Sequence, residues 1–222
     1  LVDPFGGKQD LENGIIRAVG DPNERFLEDP LRMIRMCRFA ATLNFKVDPA
    51  TLSAARELKD ELKWIPKERI RDEIEKVLRK ADTPSLFFRL LIETKLNDHV
   101  IPELYSLIGV RQPARYHRYD VFDHTMIVLD YCPKDVKIRL AGLLHDIGKP
   151  KVMRIINGRI MFPQHEIVSA EVAEIILRRL RFSNTTIEIV TTLIRYHTFP
   201  VQNGKTALTN RKMRIRFLSR LT

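Results

Sequence analysis

The stretch Glu28-Asp29-Pro30-Leu31-Arg32-Met33-Ile34-Arg35-Met36-Cys37-Arg38-Phe39 constrains the fold more than any other part of the chain. Proline has no amide proton and suits the first turn of a helix, and an aspartate before it is a good cap. The run predicts a helix capped by Asp29 that opens at Pro30. One carboxylate and three guanidiniums then follow at intervals of three residues. Asp29 and Arg32 stand one turn apart. Arg35 and Arg38 continue the row, which drifts around the helix by about 60° per step because three residues fall short of a full turn. Asp48-Pro49, Ile65-Pro66, Thr83-Pro84 and Cys132-Pro133 are similar start signals, each ahead of an apolar-periodic run. The expected fold class is all-α.

A carboxylate only accepts hydrogen bonds and a guanidinium only donates them. Cytosine and adenine each carry an amine donor beside a ring-nitrogen acceptor, which an Asp/Arg pair matches. Uracil and guanine present the reverse pattern, and a buried polar mismatch costs roughly 1–3 kcal/mol. The other arginines suit a triphosphate. The same spacing also fits an exposed ion pair with two solvated arginines.

Ile70, Ile74, Val77 and Leu78 form a core stripe in a run whose other faces carry Glu68, Arg69, Arg71 and Glu75. Phe87, Phe88, Leu90 and Leu91 crowd a helix without basic interleaving and read as core. One β-hairpin is expected, from Val152–Ile156 through the turn Asn157-Gly158 to Arg159–Phe162. No apolar run approaches membrane-spanning length. The two cysteines, Cys37 and Cys132, lie in apolar helical stretches and read as buried thiols of a reducing cytoplasm. The net charge of +10 is uneven: residues 1–110 carry −1 and residues 111–222 carry +11. A one-sided basic half, densest at Lys205, Arg211, Lys212, Arg214, Arg216 and Arg220, points to a polyanion such as RNA.

The runs Leu1–Leu11, Ile15–Pro22 and Arg25–Asp29 resemble the class II tRNA nucleotidyltransferases, the family of CCA-adding enzymes, A-adding enzymes and bacterial poly(A) polymerases. The resemblance spans roughly the first 80 residues. It implies that Asp29 and Arg32 are the base-reading pair, that Arg35 and Arg38 contact the nucleotide, and that Glu28 supports the turn. Pro66–Ile74 resembles the family's last neck motif, whose charged residues hold the helices around the nucleotide helix; a solvated charged face fits it as well. The family carries an upstream head with a glycine-serine turn and an Asp-x-Asp pair that holds two magnesium ions. No such segment lies in this sequence, which is therefore expected to be inactive alone. Gly6 and Gly7 read as the joint between head and neck.

The second half carries His124, His145-Asp146 with Gly148-Lys149 after it, His165 and His197. Imidazole and carboxylate are metal ligands, and a bound divalent ion can activate water against a phosphate ester. His145 and Asp146 point about 100° apart on a helix, so they could share an ion only near its end, which Gly148 marks. Lys149 suits a phosphate. The set resembles the HD superfamily of metal-dependent phosphohydrolases over roughly residues 106–200. That resemblance implies His124, His145 and Asp146 as metal ligands. It also exposes a departure: such sites usually close with a later aspartate, and none follows Asp146. His165 or His197 in its place would favour a transition metal over a hard cation.

The expected organisation is a remnant of the head and its joint over residues 1–22, helical neck and body over 23–105, an HD-type helical domain over 106–200 and a basic helical segment over 201–222. The first functional expectation is base selection and tRNA binding for an enzyme that adds C and/or A to tRNA 3′ ends. ATP and/or CTP would be its substrates and magnesium would be held by the head. The alternative is an HD phosphohydrolase acting on nucleotides or cyclic phosphates. A third is a non-catalytic RNA-binding scaffold. Oligomeric state has no signature in the sequence.

Overall fold

The computed structural model describes residues 3–112 and 119–198. Helices α1 (Gly7–Asn13), α2 (Pro22–Glu28) and α3 (Leu31–Leu43) lead into α4 (Pro49–Glu57), α5 (Lys67–Lys80) and α6 (Ser85–Glu93). Three short 3-10 turns, Lys59–Trp64, Leu96–His99 and Pro102–Leu107, link this part to α7 (Val121–Tyr131) and α8 (Val136–Leu144). A short α9 (Lys149–Val152), α10 (His165–Arg179) and α11 (Asn184–Tyr196) complete the described chain. The expected helical class is what forms. The expected basic segment 201–222 lies outside the described residues.

The start signals act where the sequence puts them, within a few residues. Asp48 caps α4 through the Thr51 amide at 3.0 Å, and Asp21, which was not among the start signals read from the sequence, caps α2 by accepting from the Asn23 amide at 2.7 Å. Asp29 accepts from the Leu31 amide at 3.2 Å, but it closes α2, and Pro30 takes the N-cap position of α3, which opens at Leu31, one residue later than expected. After Cys132-Pro133 the helix waits until Val136, because Asp135 takes the amides of Lys137 and Ile138 and sets the start there.

On α3, Met33, Ile34, Cys37, Ala40 and Ala41 are buried. They face the stripe of α5, where Ile70, Ile74, Val77 and Leu78 are fully enclosed, and the aromatic side of α6. Phe87 and Phe88 meet edge to face with centroids 5.1 Å apart, a core arrangement and not a stacking platform. Cys37 is buried and Cys132 half-buried, and both are free thiols.

Two small sheets accompany the helices. The hairpin pairs β3 (Arg154–Ile156) antiparallel to β4 (Arg159–Met161), with Asn157 and Gly158 both at positive φ as a tight two-residue turn requires. Its first strand is shorter than expected, since Val152 ends α9. A parallel pairing of β1 (Ile15–Ile16) with β2 (Lys46–Val47) has no counterpart in the sequence reading, because two-residue strands carry no period.

The two halves are joined by one buried charge and one half-buried ion pair. The side chain of Arg139 on α8 is almost fully enclosed. It donates to the carbonyls of Leu78 and Ala81 at the end of α5, at 2.9 and 2.8 Å, and to Cys132 at 3.2 Å. Arg179 of α10 grips Glu103 through two bonds of 2.7 Å. Burial alone raises the Glu103 pKa, but Arg179 outweighs it and holds the carboxyl below its usual 4.5.

Arg139→Met would leave three enclosed carbonyls without donors. We expect a loss of about 3 kcal/mol in urea denaturation; a loss under about 1 kcal/mol would mean that the carbonyls find other partners. For Glu103 the unfolded chain takes up the proton first as pH falls. Its contribution is therefore complete above pH 4.5 and is lost below it. Glu103→Gln should flatten the acid limb of the stability–pH curve in that window; an unchanged limb would count against the pair.

Candidate nucleotide pocket and histidine cluster

Asp29 and Arg32 flank the corner between α2 and α3, and each has its own partner. One oxygen of Asp29 accepts from the Leu31 amide, and the other lies 3.3 Å from Nη2 of Arg69 on α5. Arg32 donates at 2.7 Å to Glu28, whose carboxylate also takes Arg25 at 2.9 Å. These arginines hold the Glu28 carboxyl below the usual carboxylate range, Arg32 most strongly. Glu28 thus braces the turn, and Asp29 and Arg32 meet through the main chain, the Arg32 amide donating to the Asp29 carbonyl at 2.9 Å, while their side chains pair with Arg69 and Glu28.

Arg32 and Arg35 line a cavity of about 380 Å³ together with Arg17 and Arg25. Its apolar walls come from Ile16, Val19, Phe26, Met36 and Phe39. That is a cationic rim over an apolar surface, a fit for a planar base with attached phosphates. Arg35 also borders a polar cavity of about 330 Å³ on the α5 side, with Arg38, Arg69, Asp72, Glu73 and Lys76. Arg38 stands apart from the first cavity. It is paired to Glu73 in a largely buried contact and lies 3.9 Å over the Phe39 ring. The expected row of four is therefore divided: Arg32 and Arg35 face the first cavity, Arg38 anchors α3 to α5, and Asp29 is held by Arg69.

The histidines converge from four separate elements. His124 sits on α7, His145 and Asp146 follow the end of α8, His165 opens α10 and His197 closes α11. Gly148 is not the left-handed helix terminus expected of it. It adjoins α10 so closely that a Cβ would lie 2.6 Å from the Ser169 amide nitrogen. Asp146 is only 1% exposed. Its Oδ2 accepts Lys149 Nζ at 2.7 Å and lies 3.0 Å from His145 Nε2 and 3.7 Å from His124 Nε2. Its Oδ1 lies 3.5 Å from His165 Nε2 and 3.8 Å from His197 Nε2 and has no hydrogen-bond partner among the described residues. Burial alone raises the Asp146 pKa, yet His145 and Lys149 together press the carboxyl far below its ordinary range. Burial lowers His197 to about 4, so its ring is neutral near pH 7.

Lys149 does not face a phosphate. It is buried, bonded to Asp146 and to Gln112 Oε1 at 2.7 Å, and sits 5.3 Å from the Phe162 ring centroid. Gln112 carried no sequence signal, since an isolated glutamine in a loop has none. His99 pairs with Asp60 far from the cluster, and His117 lies outside the described residues. The five residues fit a metal ion. His124, His145 and Asp146 form one donor triad, and Asp146, His165 and His197 form another, each with its ligand atoms within 4.8 Å. The unpartnered Oδ1 in a dry site is the acceptor a cation would satisfy.

A helical bundle with converging His/Asp donors, preceded by helices around an arginine-lined pocket, defines an HD-type helical protein. The family models agree. One described as a probable RNA and SrmB-binding site of polymerase A matches residues 44–107, and the HD domain matches residues 116–221. The chain is 35% identical to a multifunctional CCA protein of Alkalilimnicola ehrlichii, over 89% of this chain and 48% of that one. It is also 35% identical to an A-adding tRNA nucleotidyltransferase of Deinococcus radiodurans, over 89% and 47%. The crystal structure of a Bacillus stearothermophilus CCA-adding enzyme in complex with CTP shares the fold, with a TM-score of 0.56 and 22% identity over 99% of this chain and 48% of the other. A tRNA-processing enzyme with CTP does so with a TM-score of 0.55 and 21% identity over 97% and 53%. The chain belongs to the class II tRNA nucleotidyltransferase family. It spans about half the length of the curated relatives it matches.

Lys149→Met would leave the Asp146 carboxylate buried without its ammonium. In chelator-treated protein we expect a loss of about 3 kcal/mol by chemical denaturation, largely recovered in the Lys149→Met, Asp146→Asn double variant. A single variant as stable as the parent would mean that the pair is not what neutralises the site.

Proposed function

We propose that this chain supplies base selection and tRNA binding to an enzyme that adds C and/or A to tRNA 3′ ends without a template. The observation that carries the reading is the arginine-rimmed apolar cavity beside the α3 corner where Asp29 and Arg32 stand. The base enters against Phe26, Met36 and Phe39. Asp29 accepts from the exocyclic amine of adenine or cytosine while Arg32 donates to the neighbouring ring nitrogen. Arg35 and Arg25 meet phosphate charge. Arg38 contributes by holding α3 against Glu73 of α5. Nucleotidyl transfer belongs to the magnesium-binding head that the family resemblance implies upstream. The basic second half holds tRNA. The two functional regions divide near residue 105, close to the end of the first family-model match at residue 107 and ahead of the second, which starts at 116.

For Asp29 and Arg32 to read one base, their present contacts must loosen. Those contacts are half-exposed ion pairs worth little, so a base edge can replace them at small cost. In the full-length enzyme, Asp29→Ala should lower ATP and CTP incorporation into tRNA on the order of tenfold to a hundredfold and raise the relative use of GTP and UTP. Unchanged rates with unchanged selectivity would remove the case for the pair.

A second reading concerns the histidine cluster. The two donor triads on Asp146 favour a divalent metal there and, with it, hydrolysis of a phosphate ester of nucleotide type. The ion would supply an activated water. The chain would supply the imidazole donors, and Lys149 would fix the Asp146 carboxylate in its ionised form.

A further inference from the structure

Arg35 belongs to two cavities at once. On one side it rims the apolar cavity proposed for the base, and on the other it borders the polar cavity of about 330 Å³ between α3 and α5. Apart from Leu31, the lining of the second is charged throughout: Arg35, Arg38, Arg69 and Lys76 face Asp72 and Glu73. Both acids are already taken. Glu73 accepts from Arg38 and, at 2.7 Å, from Lys76. Asp72 accepts at 2.7 Å from Arg71, which does not line the cavity. Arg35 has no ionic partner among the described residues. Four cations thus share two carboxylates, one of them claimed from outside, and the cavity keeps an excess of positive charge. Its size is that of a small-ligand site, and its chemistry suits an oxyanion.

Two of the four cations are free to move. Arg38 is fixed, with 12% of its side chain exposed, while Arg69 and Lys76 are each 49% exposed. Arg69 is also loosely held. Its Nη2 lies 3.3 Å from Asp29 Oδ2, beyond the roughly 2.7–2.9 Å of a strong charged bond. If Asp29 turns that oxygen to the amine of a base, Arg69 loses its acceptor. The planar fork of a guanidinium then suits two oxygens of a phosphate.

We infer that the cavity between α3 and α5 takes a phosphodiester of the RNA strand to be extended, held by Arg35, Arg69 and Lys76, and that Asp29 releases Arg69 to it when a base is read. The inference rests on the base-reading role proposed above for Asp29. The phosphates of a nucleotide in the first cavity already have Arg25 and Arg35 there. Arg69 and Lys76, by contrast, lie in residues 44–107, the stretch matched by the RNA-binding family model. With five donors, Arg35 can meet a phosphate on either side and set the RNA end beside the nucleotide it must join. The two ligands are then coupled, and by linkage each tightens the other by the same factor. A half-exposed ion pair limits that factor to about twofold to fivefold.

The test is fluorescence anisotropy of labelled hexauridylate titrated with the full chain; uracil is a base that the Asp29/Arg32 pair does not accept. Saturating adenosine should tighten RNA binding about twofold to fivefold, and uridine should leave it unchanged. In Asp29→Ala the RNA should bind more tightly by that same factor without adenosine, and adenosine should add nothing. Arg69→Gln and Lys76→Ala should each weaken RNA binding about threefold to fivefold with adenosine present. Each should also lower the slope of log affinity against log salt by about 0.7. Lys76→Gln stands in for Lys76→Ala should circular dichroism show a folding defect. RNA affinity and salt slope that stay put in the Arg69 and Lys76 variants overturn the cavity. Losses in those variants without an adenosine effect, in a chain that binds adenosine by calorimetry, overturn the release of Arg69. ATP that displaces the RNA where adenosine does not assigns the cavity to the nucleotide's own phosphates and overturns the RNA. A chain that binds neither adenosine nor ATP removes the base-reading role of Asp29 instead, and the Arg69 and Lys76 variants still decide the cavity.

Discussion

A single guanidinium enclosed by main-chain carbonyls holds the two functional regions in one frame. Arg139 donates to main-chain carbonyls from both sides. It meets the C-terminal carbonyls of α5 and the carbonyl of Cys132, just past the end of α7. Helix C-termini leave carbonyls unpaired and carry partial negative charge, so two such ends can neutralise one arginine. The geometry has a long reach. The other end of α5 brings Arg69 to Asp29, and the C-terminal end of α8 delivers His145 and Asp146. A shift at Arg139 would move both sites, although neither touches it.

Helix α3 divides its work by face. The buried face, from Met33 to Ala41, packs on α5 and α6 and fixes the rotation of the helix. Once that rotation is fixed, Arg32 and Arg35 fall toward the first cavity and Arg38 falls toward Glu73. The drift of a three-residue spacing around a 3.6-residue turn therefore decides which arginines remain available to a ligand. Enclosed Glu73 takes both Arg38 and Lys76, which makes that end of the row a fixture.

What the sequence disclosed was local, and what it concealed was tertiary. The cap at Asp48, the stripe on α5 and the Asn157-Gly158 turn rest on neighbours a few residues away, and all were legible. The histidines could be named as a set because their residue types are few. The chain could not say that Lys149 turns inward to Gln112, since that bond joins residues 37 apart. Nor could it say that Asp29 pairs with Arg69 across 40 positions or that Arg38 is claimed by Glu73 across 35. Gly148 shows the limit well. A glycine near a helix end reads as a left-handed cap, but here its φ is −86° and it serves the approach of α10.

The two carboxylates central to the proposed chemistry are handled in opposite ways. Asp29 is about a quarter exposed, and its partner Arg69 is half exposed, so exchanging that partner for a base edge costs little. Asp146 is sealed, and its ammonium partner Lys149 is sealed with it, while His124 and His197 each keep about a quarter of the side chain exposed. Removing Lys149 strands the carboxylate's charge in an enclosed site, so exchange there is expensive. An open acid suits a group that must accept and release a succession of nucleotides. A sealed one suits a resident cation, which would enter once and find a single carboxylate oxygen still unpaired.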